Sequence, residues 1–184
     1  YARLRAVLRP ETVIVFHDGF RLLRWGGWFR RAGMRNVMLD THQYLIAMED
    51  PLFSGPARRL YLRSRRLPWL YRMLVGASGI AIRSAARRIP VLVGEWCVEN
   101  QWALHSQNRS AAYRQVSRLQ RAAWDVSAGQ IYWSYQLARS AKPGSGEGKP
   151  PRDPRNGGNL EAWDLTRVWR HGWIRADTSH DDVP

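Results

Sequence analysis

Four short runs built almost wholly of apolar and β-branched residues constrain the fold of this chain more than any other feature. They are TVIVF (Thr12 to Phe16), NVMLD (Asn36 to Asp40), PVLVG (Pro90 to Gly94) and GQIYWSY (Gly129 to Tyr135). The first three lack the polar-apolar alternation of a strand with one wet face, so they read as strands buried on both faces. Between them lie helical patterns: Arg21 to Ala32 with Gly33 as a stop, about Pro56 to Arg88, and Ser106 to Ala128. In the last of these, Tyr113, Val116, Leu119 and Ala123 recur at spacings of three, three and four, which predicts one apolar stripe. Gly129 reads as that helix's C-terminal stop. A further helix is expected near Glu161 to Arg170. Strands and helices in alternation predict an α/β fold with a parallel sheet.

Size and charge narrow the function classes. The 184 residues, 45% of them hydrophobic, suffice for one globular domain, expected over residues 1 to 175, followed by a polar tail over 176 to 184. The formal charge of +14 invites a nucleic-acid reading. Against it, Lys142 and Lys149 are the only lysines, the arginines are spread over helix-like segments, and no recognition motif accompanies them. Solvated helix faces account for the arginines, and no nucleic-acid partner is expected. The densest cluster, Arg58 to Arg72, has the alternatives of lying on a membrane surface, packing on a partner or turning its Leu, Tyr and Trp residues to the core. The longest nearly apolar stretch, Met73 to Ile82, is bracketed by arginines and falls short of the ~20 residues that span a bilayer. Cys97 is the single cysteine, so no internal disulfide is expected and the compartment stays open. The chain opens on Tyr1 without an initiator Met or a signal-peptide pattern, and the expectation is that the true N-terminus lies upstream.

The segment Ser140 to Asn159, rich in Gly and Pro, predicts a loop. Its GSGEGKP superficially resembles a phosphate-binding loop, but Gly144 to Gly148 is one residue short and Pro150 stands where Ser or Thr would hold magnesium. No cofactor is expected. His17, Asp18 and His42 lack the regular spacing of known metal-ligand motifs, and no GxSxG elbow marks a serine hydrolase.

The residues at the C-terminal end of each strand are more informative. The first run leads into His17, Asp18 and Gly19, and the second into Thr41, His42, Gln43 and Tyr44. The third delivers Glu95 and Trp96, and the fourth carries Trp133. Taken singly, Glu95 is also readable as a helix cap or an ion-pair partner for an arginine, His42 as a core histidine and Trp133 as core filling. Together they gather polar and aromatic groups at the C-terminal ends of successive parallel strands, where α/β proteins place their active sites.

At these residues the chain resembles glycoside hydrolase family 5, in particular its exo-1,3-β-glucanase-like branch. The matching stretches are VIVFHDGF, NVMLDTHQY, VLVGEW and GQIYWSY, over about Thr12 to Ile174. The resemblance implies the C-terminal half of a (β/α)8 TIM barrel, strands five to eight with their helices. It also implies a retaining β-glycosidase acting on β-glucans, oligosaccharides or β-glucosides. In that reading Glu95 is the nucleophile that attacks the anomeric carbon. His42 and Tyr44 line the subsite beside it, and the Tyr44 hydroxyl orients the Glu95 carboxylate. Trp133 forms the platform under the sugar, and Trp96 flanks the substrate. His17, Asp18 and Phe20 sit at the rim.

The departures from the family are as telling. Retaining chemistry needs a second carboxyl group ~5 to 5.5 Å from the first, which the family carries after an Asn at the end of its fourth strand. No such Asn-Glu pair precedes Thr12. Glu49 and Glu99 are weak substitutes expected in loops, and Gln136 stands where the exoglucanases have Lys. The reading is therefore a glycosidase fragment whose acid/base lies outside the chain, partnered by a missing N-terminal half-barrel or by itself. A non-catalytic carbohydrate-binding remnant and a basic surface-binding module are the alternatives.

Overall fold

The computed structural model of the protein describes residues 1 to 53, 67 to 137 and 159 to 175. The expectations for residues 56 to 66 of the second helix and of the arginine cluster, for residues 140 to 158 with their phosphate-loop likeness, and for the tail 176 to 184 lie outside the described residues. The expected strands form as β1 (Ile14–His17), β2 (Val37–Gln43), β3 (Val91–Trp96) and β4 (Gly129–Tyr132), a single parallel sheet in the order β1-β2-β3-β4. The helices are α1 (Ala2–Arg5), α2 (Leu22–Arg31), α3 (Leu45–Phe53), α4 (Leu67–Ala86), α5 (Gln101–His105), α6 (Arg109–Trp124) and α7 (Leu165–Arg170). The α/β class is thus observed, and four parallel strands with intervening helices are compatible with half of a barrel.

Several boundaries move, each for a physical reason. Helix α6 ends at Trp124, and Gly129 opens β4 instead of stopping the helix. Its buried stripe runs through Tyr113, Val116, Gln120 and Trp124, while Leu119 and Ala123 are only half-buried. The polar Gln120 hides this phase from an apolar count. The predicted helix at Glu161 to Arg170 is broken in two. A 3-10 turn, Leu160–Trp163, stops at Asp164, whose Oδ1 then accepts from the Arg167 amide and caps α7. Glu49, expected in a loop, lies within α3.

The described residues divide into two compact units. The first holds the sheet and its packing: residues 1 to 43, 72 to 96 and 120 to 131. Ile14, Leu39, Val91 and Val93 point to one face of the sheet and are buried, and Phe29 of α2 meets Phe16 of β1 at 5.2 Å between rings. Gly79 of α4 lies so near α6 that a Cβ there would stand 2.9 Å from the Ala123 carbonyl oxygen. The Arg5 guanidinium donates to the carbonyls of Arg9, Pro10, Thr12, Arg35 and Asn36, which ties the N-terminal approaches of β1 and β2 together. Gly33 turns the chain out of α2 at φ +65°, a conformation that costs a residue without Cβ little.

The second unit comprises residues 44 to 71, 97 to 119 and 132 to 184. Its core, with Leu45, Tyr71, Val98, Tyr113, Val116, Val168 and Trp173, encloses two carboxylic acids, Glu49 and Glu99, each with no exposed surface. Buried carboxyls need partners. Glu49 accepts from the Tyr71 hydroxyl and, at 2.9 Å, from the Gln101 amide. Glu99 accepts from the Tyr113 hydroxyl at 3.2 Å and the Asn159 amide at 3.1 Å.

Candidate functional site

The strand ends of the first unit show how a carboxylate comes to finish a buried strand. Along β2 and β3 the parallel register pairs Asp40 with Leu92 and Thr41 with Val93, then slips, so that His42 lies opposite Glu95. In β3 the burial order is buried, half-buried, buried, then half-buried twice at Gly94 and Glu95 before Trp96 is buried. One extra residue on β3 therefore turns Glu95 onto the same face as Leu92 and Gly94, the re-aiming that a β-bulge performs. Regular alternation would have sent Glu95 into the helix-covered core.

On that face three side chains make a row. His42 Nδ1 stands 3.1 Å from Glu95 Oε2, and His42 Nε2 stands 3.2 Å from Asp40 Oδ2. The ring thus offers one nitrogen to each of two carboxylates. Asp40 was not among the residues singled out from the sequence. Its position two before His42 on one strand places both on one face, and that spacing was the available signal. Gly94 makes room for it, because a Cβ on Gly94 would lie 2.0 Å from Asp40 Oδ1. Among the described residues Asp40 Oδ1 is buried without a hydrogen-bond partner.

The other predicted site residues divide. The His17 ring lies 4.3 Å from the His42 ring and 5.2 Å from Phe20, so these three aromatic groups cluster beside Glu95's partner. Phe20 is 74% exposed on a backbone at φ +59°, presented to solvent as a rim residue would be. Asp18, expected at the rim, is buried and accepts from the Phe20 amide at 2.7 Å and the Thr41 hydroxyl at 2.8 Å. Those bonds hold the turn after β1 against β2. Trp96, expected to flank the substrate, is buried and lies edge-on to Trp124 at 5.3 Å between rings. The groove lined by Phe20, Arg21, Leu22, Leu23 and Arg24 includes neither His42 nor Glu95.

Tyr44 and Trp133 belong to the second unit. The Tyr44 ring lies 5.2 Å from Trp163. Trp133 comes just after β4 with half of its surface exposed, and the Trp133–Ser134 peptide is cis. In the same unit Glu99 has its acidity weakened chiefly by burial, its pKa pushed up to about 7, while the Asn159 amide and Tyr113 hydroxyl work in the opposite direction. Burial likewise drives the Tyr71 and Tyr113 hydroxyls and the Cys97 thiol well above their ordinary ranges. Cys97 is therefore a buried core thiol.

Among the described residues no group of three His, Cys, Asp or Glu side chains is placed to hold a metal ion, and no helix is long and apolar enough to cross a membrane. Comparison with known protein families finds no match to the chain, and comparison with characterised proteins finds none either.

Proposed function

We propose that Glu95 is the nucleophile of a retaining β-glycosidase site acting on β-glucans or β-glucosides. The observation that carries this reading is the slipped register that turns Glu95 onto the open face and sets it 3.1 Å from His42 Nδ1. In the proposed step a Glu95 oxygen attacks the anomeric carbon as the glycosidic C–O bond breaks, and the electron pair leaves on the departing oxygen. His42 holds one carboxylate oxygen of Glu95, which leaves the other for the sugar. Asp40 fixes the imidazole from behind. The resemblance noted in the sequence implies a sugar platform at Trp133, whose indole is half-exposed in the second unit.

The acid/base is supplied from outside the described residues. Glu49 and Glu99 are enclosed and hydrogen-bonded within the core of the second unit, so neither is offered to a leaving group. General acid assistance is typically worth ~10²- to 10⁴-fold. A dinitrophenyl β-glucoside, whose leaving group needs no proton, is therefore the substrate of choice. The chain is expected to turn it over slowly, to leave a natural β-linked disaccharide intact, and to lose the dinitrophenyl activity in Glu95→Gln. Equal activity in wild type and variant removes Glu95 from the role.

The engagement of both core carboxylates also favours a second reading, a carbohydrate-binding remnant that kept the sugar platform without turnover. Saturable binding of gluco-oligosaccharides with no release of dinitrophenolate selects it.

A further inference from the structure

A chain of polar groups crosses the core of the first unit. Trp124 Nε1 of α6 donates to the Ser78 hydroxyl of α4 at 3.3 Å, and Ser78 donates in turn to Gln43 Oε1. Gln43 Nε2 donates to the Thr41 hydroxyl at 2.8 Å, and Thr41 donates to Asp18 Oδ2 at 2.8 Å. Asp18 Oδ1 then accepts from the Phe20 amide at 2.7 Å. Each hydroxyl accepts from one side and so has its single proton for the other, which gives the chain one direction. Asp18, Thr41, Gln43 and Trp124 are buried. Buried polar groups are costly unless each finds a partner, and a satisfied network fixes one arrangement of its members. Thr41 and Gln43 alternate along β2 with Asp40 and His42, so the network lies on the helix-covered side of the sheet and the Asp40–His42–Glu95 row on the other.

The end of the network shows what it supports. Gly19 and Phe20 are both left-handed, at φ +58° and +59°. Glycine takes that conformation readily, but a bulky residue there is an outlier that persists only where its surroundings hold it. Asp18 is the holder: its carboxylate takes the Phe20 amide, and its carbonyl accepts from Trp25 Nε1 at 2.6 Å. The same turn aims two rings at the row. His17 Nδ1 accepts from the Gly19 amide at 3.1 Å, and the His17 and Phe20 rings lie 4.3 Å and 6.3 Å from the His42 ring.

We propose that Thr41, Gln43 and Ser78 are positioning residues of the Glu95 site. Through Asp18 they keep the Gly19–Phe20 turn left-handed, and the turn holds the His17 and Phe20 rings against His42. That this arrangement serves a nucleophile rests on the glycosidase reading; the placement of the rings does not.

The test uses Thr41→Val, which keeps the shape of the side chain and removes the hydroxyl, Thr41→Ser, which restores it, and Ser78→Ala, which cuts the network further along. The ring resonances of His17 and His42 are followed by NMR, with those of His105 and His171 in the second unit as controls. In Thr41→Val the His42 resonance is expected to move toward its position in Phe20→Ala, because the Phe20 ring current is lost. Ser78→Ala moves it the same way by less, Thr41→Ser keeps the wild-type position, and the control resonances stay in place. Hydrolysis of the dinitrophenyl β-glucoside is expected to lose about tenfold or more in kcat in Thr41→Val and to recover in Thr41→Ser, the size that misplacement of a reacting group produces. Unmoved His17 and His42 resonances in Thr41→Val overturn the positioning role, as does a Thr41→Ser chain that behaves like Thr41→Val. Equal movement of His105 and His171 shows general loosening and overturns it too. If Thr41→Val fails to fold, Ser78→Ala decides by the same resonances. Moved resonances in a chain whose wild type has no turnover uphold the positioning and remove the glycosidase reading instead.

Discussion

Gly94 is the residue on which the strand-end geometry depends. The Asp40 carboxylate occupies the space that any Cβ would need, at 2.0 Å from its Oδ1, so Gly94→Ala forces Asp40 off its position beside His42. We expect a loss of about 1–3 kcal/mol in urea unfolding, the range for overpacking a tight site. The Asp40→Ala background should recover most of that loss, because the obstructing oxygen is gone; an undiminished loss there contradicts the steric account. At Trp133 the expectation concerns ligand. Trp133→Ala removes an indole that is half-exposed, so calorimetric titration with laminari-oligosaccharides should show weaker binding with the melting temperature little changed. Unchanged affinity removes Trp133 from the platform role. The places of His42, Glu95 and Trp133 at strand ends were legible from the sequence because each comes directly after or at the end of an apolar run. The burial of Asp18 and Trp96 was not, because position after a strand does not say which face a side chain takes. Only the hydrogen bonds of Asp18 and the resumed alternation at Trp96 decide that.

At the scale of elements, the segment after β3 behaves as a pH-sensitive part of the second unit. Glu99 has its pKa raised to about 7, first by burial, against an unfolded value near ~4.3. A raised carboxyl favours the protonated fold, so its contribution is fully present below ~4.3 and lost as pH rises through 7, on the order of 3 kcal/mol in all. Glu99→Gln keeps an acceptor for the Asn159 amide and has no charge to bury. Wild type and variant should melt alike at about pH 4, and the variant should be the more stable at about pH 8; a difference independent of pH contradicts the assignment. The strands themselves were legible as continuous apolar runs, with ends displaced by a few residues. The bulge was written in the sequence only as Gly-Glu breaking a period of two. The short helix Leu45–Phe53 escaped notice because LIAMEDPLF is apolar on most sides and carries a proline, so no single stripe marks it.

For the molecule as a whole, the parallel α/β class follows from strands without a polar face, and the structure bears it out. The functional proposal turns on one atom pair, a Glu95 oxygen and an anomeric carbon. A 2-deoxy-2-fluoro-β-glucoside with a dinitrophenyl leaving group slows breakdown of a glycosyl-enzyme and forms it without a proton donor, so it tests the nucleophile independently of the missing acid. The chain is incubated with this reagent, digested, and its peptides sequenced by tandem mass spectrometry. The account predicts a single fluoroglucosyl adduct, on Glu95, absent from Glu95→Gln and diminished in His42→Ala. No adduct on a folded chain, or an adduct on Asp18, Asp40, Glu49 or Glu99 in place of Glu95, contradicts it.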